Sequence, residues 1–189
     1  MKLVSTAKLK RTEELAKKSK VYAAKLTELI DDIAYSIKKY KAGGIESRYF
    51  ERIENPVVVD IVFVTADKGL CGGFNAQTLK RVQKLIAEYK DKKVKVRLRA
   101  IGKKGVDYFR FNEVQLHDAI SDLSASPEYS RAAKFMDSVT QDFLEGDTDR
   151  VIVVHNGYVN MITQQVKQDL VLPIDPDMSQ QDDGSSAME

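Results

Sequence analysis

Between Met1 and Tyr40 the chain contains neither proline nor glycine. Leu15, Tyr22, Leu26, Ile30, Ile33, Ile37 and Tyr40 recur there at steps of 7, 4, 4, 3, 4 and 3. This is close to the heptad seam of a coiled coil and narrower than the stripe of an ordinary core helix. The spacing predicts one helix over residues 1–42, which at ~1.5 Å per residue would run about 60 Å, longer than a small domain is wide. Such a helix projects and needs a partner. "KAGG" (41–44) ends it, with Gly43 or Gly44 suited to a left-handed C-terminal cap.

Charge is distributed unevenly along the chain. Residues 1–41 carry eleven cations, among them Lys2, Lys8, Lys10 and Arg11, against five anions, although the whole chain is only +2. After Lys167 there is no basic residue, while Asp169, Asp175, Asp177, Asp182, Asp183 and Glu189 are acidic. A basic arm is either a solvated helix face or a surface for an acidic partner. Nucleic acid is the weakest such partner, because the aromatic residues interleaved there are Tyr22, Tyr35 and Tyr40, two of them on the seam. The single cysteine excludes an internal disulfide and makes a reducing compartment the default expectation. No run approaches the roughly 18 apolar residues of a membrane span.

Strand and helix patterns then alternate. Residues 43–55 read as a polar connector. "PVVVDIVFVT" (56–65) is a β-branched run typical of a strand buried on both faces. Leu79, Val82, Leu85, Ile86 and Tyr89 fall at helical spacing, and Val94, Val96, Leu98 and Ala100 alternate as in a strand. A short helix is expected over 103–110 and a weak strand over 113–117. Ser126 reads as an N-cap followed by Pro127, opening a helix that buries Ala132, Met136, Val139 and Phe143 and stops at Gly146. "RVIVVH" (150–155) is a further strand. The Asn156-Gly157 pair is a strong hairpin signal, so the following segment should return antiparallel. These patterns predict a three-layer α/β/α domain over 56–174, with a mostly parallel mixed sheet whose last strand is antiparallel. Residues 175–189 read as an acidic disordered tail.

"TADKGLCGGFN" (65–75) breaks the first strand into a glycine-rich turn before a helix. A P-loop would need a lysine and a hydroxyl after its second glycine, and neither is in place. The dinucleotide fingerprint fails because Cys71 occupies the second glycine position. Gly69, Cys71 and Gly73 do satisfy G-x-C-x-G, the cysteine form of a nucleophile elbow. An elbow needs a base, and only His117 and His155 are available. His155 ends a strand, yet no carboxylate follows it closely in sequence. A cysteine hydrolase or amidotransferase using Cys71 and His155 is therefore one reading, and a small packing residue at Cys71 is the other. No metal-ligand spacing is present.

Two segments together carry a resemblance. "MKLVSTAKLKR" (1–11) is similar to M-K-M-V-x-x-x-K-L-[RK]-[RK], with Met1, Lys2, Val4, Lys8, Leu9, Lys10 and Arg11 matching and Leu3 replacing the usual methionine. In "TADKGLCGGFN", Asp67, Gly69, Leu70, Cys71, Gly72, Phe74 and Asn75 match a second family motif, and Lys68 stands where arginine is common. "VVHNGYVNMITQQVKQDLVLPI" (153–174) is similar to the strand–turn–strand that ends in L-P-I. Together these resemble the gamma-subunit family of F-type ATP synthases over most of residues 1–174.

The resemblance implies a rotating central shaft without catalytic residues, cofactor or metal, coupling proton flow to ATP synthesis. Its partners would be a ring of three alpha and three beta subunits, an epsilon subunit and the membrane c-ring. It would sit peripherally on the cytoplasmic face of a bacterial inner membrane. Leu15, Tyr22, Leu26, Ile30, Ile33 and Ile37 would form the seam of an antiparallel coiled coil. Met1, Lys2, Val4, Lys8, Lys10 and Arg11, with Asp67, Lys68, Gly69, Leu70, Cys71 and Gly72, would touch neighbouring subunits. Family chains extend upstream of Met1 and into a long helix beyond residue 189, so the resemblance implies a fragment carrying one arm of the shaft. Its uncovered seam would then favour self-association, since ~400 Å² of open apolar surface forfeits on the order of 10 kcal/mol.

Overall fold

A computed structural model describes residues 6, 9–14, 17, 25–26, 29–30, 48–69, 71, 73–123, 129–158 and 164–174. Within them the expected sheet is present. Strands β1 (Val58–Val64), β2 (Lys95–Ile101), β3 (Asp118–Ile120), β4 (Arg150–Tyr158) and β5 (Gln164–Leu172) lie in the order β3-β2-β1-β4-β5. The first four are parallel, and β5 pairs antiparallel with β4. Helices α1 (Phe74–Asp91), α2 (Lys103–Phe111) and α3 (Tyr129–Glu145) follow β1, β2 and β3.

Alternation along β1 sorts the layers. Val59, Ile61 and Phe63 pack with Leu79, Val82 and Leu85 of α1 and with Phe109 of α2. Val62 faces the other way, with Phe135, Val139 and Phe143 of α3. Both faces of β1 are buried from Val59 to Phe63, as its β-branched run predicts. A 3₁₀ turn at Arg48–Phe50 closes one end of the α3 layer: Arg48 pairs with Asp149 at 3.1 Å, and the Tyr49 ring lies 6.5 Å from Phe143.

The α3 face of the sheet holds a charged cluster that the strand patterns did not announce. Asp60 and Arg97 are opposite one another in the β1–β2 register, and Arg99 lies two residues further along the same face. Asp60 Oδ1 accepts from Arg97 Nε at 2.6 Å, and Oδ2 accepts from Arg99 Nε at 2.7 Å. Asp142 of α3 joins the set, its Oδ2 receiving Arg97 Nη2 at 2.9 Å and also Arg99 Nη2, and Asp118 Oδ2 lies 3.7 Å from Arg99 Nη1. Burial pulls the Arg97 guanidinium down, but the hydrogen bond and charge of Asp60 hold it above its ordinary value. Burial likewise opposes ionisation of Asp142, yet Arg99 and Arg97 outweigh it and keep this carboxyl below its usual range.

Two expectations shift. The Asn156-Gly157 pair is not the hairpin turn: both residues lie inside β4, opposite Val166 and Gln165. Asn156 Nδ2 donates to Phe74 O at 3.0 Å and to Thr78 Oγ1 at 2.6 Å, which ties the strand to α1. A Cβ on Gly157 would come within 3.0 Å of the Lys167 side chain. That neighbour is a flexible side chain free to shift, so neither turn geometry nor a backbone contact requires glycine at this position. The weak strand expected at 113–117 is instead the three-residue β3 at 118–120, while 114–116 is an unpaired connection leading to it.

The chain divides into two units, Met1–Glu46 with Asp175–Glu189, and Ser47–Ile174. In the first, every described residue between Thr6 and Ile30 is helical, and Lys17 pairs with Glu13 one turn away at 3.1 Å. Leu26 of the expected seam is exposed and Ile30 half-buried. The other seam positions (Leu15, Tyr22, Ile33, Ile37), the cap at Gly43 or Gly44, Ser126 with Pro127, and the tail at 175–189 lie outside the described residues. No helix of the described residues is long and apolar enough to cross a membrane.

Candidate functional site

Parallel strands deliver their loops to one edge of the sheet, and the glycine loop leaves β1 there. Its first residue is held at once. Thr65 N donates to Ile101 O at 2.7 Å, and the buried Thr65 hydroxyl donates to Gly102 O at 3.1 Å while accepting from Gly105 N at 2.9 Å. This contact explains two glycines. Gly102 has φ +104°, and a Cβ there would stand 2.0 Å from Thr65 O; one on Gly105 would stand 2.5 Å from the Phe63 ring. Only glycine lets β1 and the start of α2 approach this closely.

Asp67 comes next and is turned inward. Its Oδ1 accepts from Lys103 N and from Asp122 N, both at 2.9 Å. Gly102 precedes α2 without a capping side chain of its own, so the Asp67 carboxylate serves as the cap. One side chain thus joins the ends of β1, β2 and β3.

Asn75 closes the other end of the loop. Its Oδ1 accepts from Ala66 N at 2.8 Å, and its Nδ2 donates to Cys71 Sγ at 3.1 Å. Lys104 N donates to Ala66 O at 3.1 Å, fastening the same residue from α2. Lys68 and Gly69 remain exposed at the tip, and Cys71 is half-buried. The loop is a braced platform whose polar side chains other than Lys68 are occupied in holding it.

The sulfur of Cys71 has two partners among the described residues, the Asn75 amide and, at 3.9 Å, Lys68 O. His155 is engaged elsewhere, its Nε2 lying 2.8 Å from Asp169 Oδ2 across the β4–β5 hairpin. The orienting carboxylate that is missing beside His155 in sequence therefore exists, supplied by β5, but it orients a histidine that is not bonded to the cysteine. His117 Nε2 lies 3.3 Å from Asp142 Oδ2. Among the described residues the G-x-C-x-G pattern has no base bonded to its cysteine, and the hydrolase reading finds no support. No group of three or more metal-ligating side chains occurs among the described residues.

Of the expected contact residues, Asp67, Lys68, Gly69 and Cys71 share this loop, while Lys10 and Arg11 lie in the described helical part of the first unit. Met1, Lys2, Val4, Lys8, Leu70 and Gly72 lie outside the described residues. Thr65, Gly102, Gly105 and Asp122 were missed as loop-holding residues. One signal was available: a glycine directly after a strand and before a helix, with no Ser, Thr, Asp or Asn to cap it, asks for a cap from elsewhere.

A family model described as ATP synthase matches residues 1–189. The chain is 60% identical over 175 residues to the ATP synthase gamma chain of a Sulfurovum species, covering 93% of this chain and 59% of that one. It is 53% identical over 188 residues to the gamma chain of Sulfurimonas denitrificans, covering 100% and 64%. This chain thus spans about three fifths of the length of these curated relatives. Among solved structures, the central stalk and c-ring assembly of Tetrahymena thermophila mitochondrial ATP synthase contains a similar fold, with TM-score 0.55 at 23% identity, over 84% of this chain and 72% of that one. Matched along its whole length, the chain belongs to the ATP synthase family, and the relatives it resembles there are gamma chains.

Proposed function

We propose that this chain is the rotor-shaft part of an F-type ATP synthase, coupling proton flow through a membrane c-ring to ATP synthesis in a ring of alpha and beta subunits. The observation that carries this reading is the match to the family along all of residues 1–189. Residues 1–42 form one arm of an antiparallel coiled coil, with Leu15, Tyr22, Leu26, Ile30, Ile33 and Ile37 on its seam. Met1, Lys2, Val4, Lys8, Lys10 and Arg11 meet acidic surface inside the ring. The loop bearing Lys68, Gly69, Leu70, Cys71 and Gly72 meets beta, with Asp67 and Asn75 fixing its shape. A braced platform without a catalytic base suits a surface that must be gripped and released repeatedly. Exposed lysine–carboxylate pairs suit it too, since each is worth about 0–1 kcal/mol and exchanges readily. Epsilon and the c-ring complete the partners, and membrane attachment, on the cytoplasmic face of a bacterial inner membrane, runs through them.

The test is to mix a full-length gamma chain carrying these residues with alpha and beta subunits and weigh the product by native mass spectrometry. A complex of three alpha, three beta and one gamma that pumps protons when joined to the membrane sector is expected. Alpha and beta that assemble while leaving this chain free would overturn the reading.

A further inference from the structure

The two helical faces of the domain differ in charge. Helices α1 and α2 together carry seven basic and three acidic residues, whereas α3 carries two basic and three acidic. Between α1 and α2 lies a groove of about 700 Å³. Leu79 and Tyr108 form its apolar floor, and Gln83 holds the Tyr108 hydroxyl at 2.7 Å. Phe111 stands at one end with 87% of its surface exposed. Lys80 and Lys104 stand on the rim, and neither ammonium has a carboxylate partner among the described residues. Asp107 is the one anion lining it.

An exposed aromatic side chain beside an apolar trough is the kind of anchor that a docking partner can bury. Charge selects the occupant. A second copy of this face would set a net charge of +4 (seven basic against three acidic residues) against another +4, so a two-fold self-contact is disfavoured. We propose that the α1–α2 groove receives an acidic amphipathic segment of a neighbouring subunit, which lays an apolar side chain beside Phe111 and carboxylates against Lys80 and Lys104. The proposal rests on the shaft reading only in taking its partner from the same assembly.

The experiment places the photoreactive amino acid p-benzoylphenylalanine at position 111 of a full-length gamma chain within the assembled synthase. After irradiation, crosslinked peptides are sequenced by mass spectrometry. The expected product joins position 111 to one other subunit, at a segment where Asp or Glu flanks an apolar residue. Reversing both rim charges, Lys80→Glu with Lys104→Glu, lowers the crosslink yield roughly tenfold, because two attractions become repulsions. Phe111→Ala, read in hydrogen exchange, abolishes the protection that assembly confers on α1 and α2. An assembled enzyme that gives no crosslink, a crosslink into lipid, one into a segment without carboxylates, or a yield indifferent to charge reversal overturns the groove proposal while leaving the shaft reading intact. A chain that fails to enter the assembly removes both.

Discussion

Arg99 and Asp60 meet on the α3 face of the sheet, Nε donating to Oδ2 at 2.7 Å, with Arg99 only 1% exposed and Asp60 fully buried. The carboxylate serves two guanidiniums at once, since Arg97 also binds it. Asp60→Asn keeps the shape but leaves two arginines facing a neutral amide. Removing one partner of a buried ion pair costs about 3–5 kcal/mol. Urea unfolding of the domain should show a loss of that order, and one under about 1 kcal/mol would mean the cluster is far wetter than its burial indicates.

Acid should act on the same cluster through Asp142. Its folded pKa lies below the ordinary carboxylate value, so the unfolded chain takes up this proton more readily than the folded one. The stabilisation is fully present above about pH 4 and drains away as pH falls through the lowered folded value. Asp142→Asn should flatten that part of the stability curve, measured as unfolding midpoint against pH. An unchanged acid limb would assign the dependence to other carboxylates.

Gly102→Ala tests the seat of the loop. A Cβ there would lie 2.0 Å from Thr65 O, on a backbone with φ +104°. Strain and collision together should cost at least about 2 kcal/mol. A thermal midpoint within a degree or two of the parent would show that the strand and helix can part freely.

Asp67→Ala removes the acceptor of two backbone amides. A lost cap costs about 0.5–2 kcal/mol, and the effect should be local: faster hydrogen exchange at Lys103 and Asp122, with α3 unchanged. Uniform acceleration would instead make Asp67 a residue of global stability.

In a full-length gamma chain, replacing Lys2, Lys8, Lys10 and Arg11 together with alanine should reduce ATP synthesis more than it reduces assembly. Individual exposed pairs are worth about 0–1 kcal/mol, so coupling should fall severalfold while the complex still forms. Normal synthesis at physiological salt would reduce this basic face to solvation.

The order of strands and helices was legible because Val, Ile and Phe cluster in β1 and Leu79, Val82 and Leu85 keep helical steps, so that local pattern and tertiary burial agree. The charged cluster was less so. Arg97 and Arg99 alternate with Val96 and Leu98, the pattern of a strand with one wet face, and only the register against Asp60 turns that face inward. Asn156-Gly157 misled for a related reason: its turn preference is a local tendency, overridden by side-chain bonds from Asn156 to α1 and by nine residues of β4 pairing. In the loop, the glycines and Cys71 stood out in sequence, whereas Thr65 and Asp122 belong to it only through folding.

The two borders of the sheet are unequal. At β3 the ladder is three residues long, and the Asp118 carboxylate already accepts the Ala119 amide at 2.8 Å. At β5 the strand is nine residues long and eight of them pair with β4, the register skipping Val171, and Leu170 and Val171 are exposed. Should copies of the domain ever stack strand to strand, the fibre-like pairing would start along β5, and a charged residue at position 171 is the substitution that would keep it in solution.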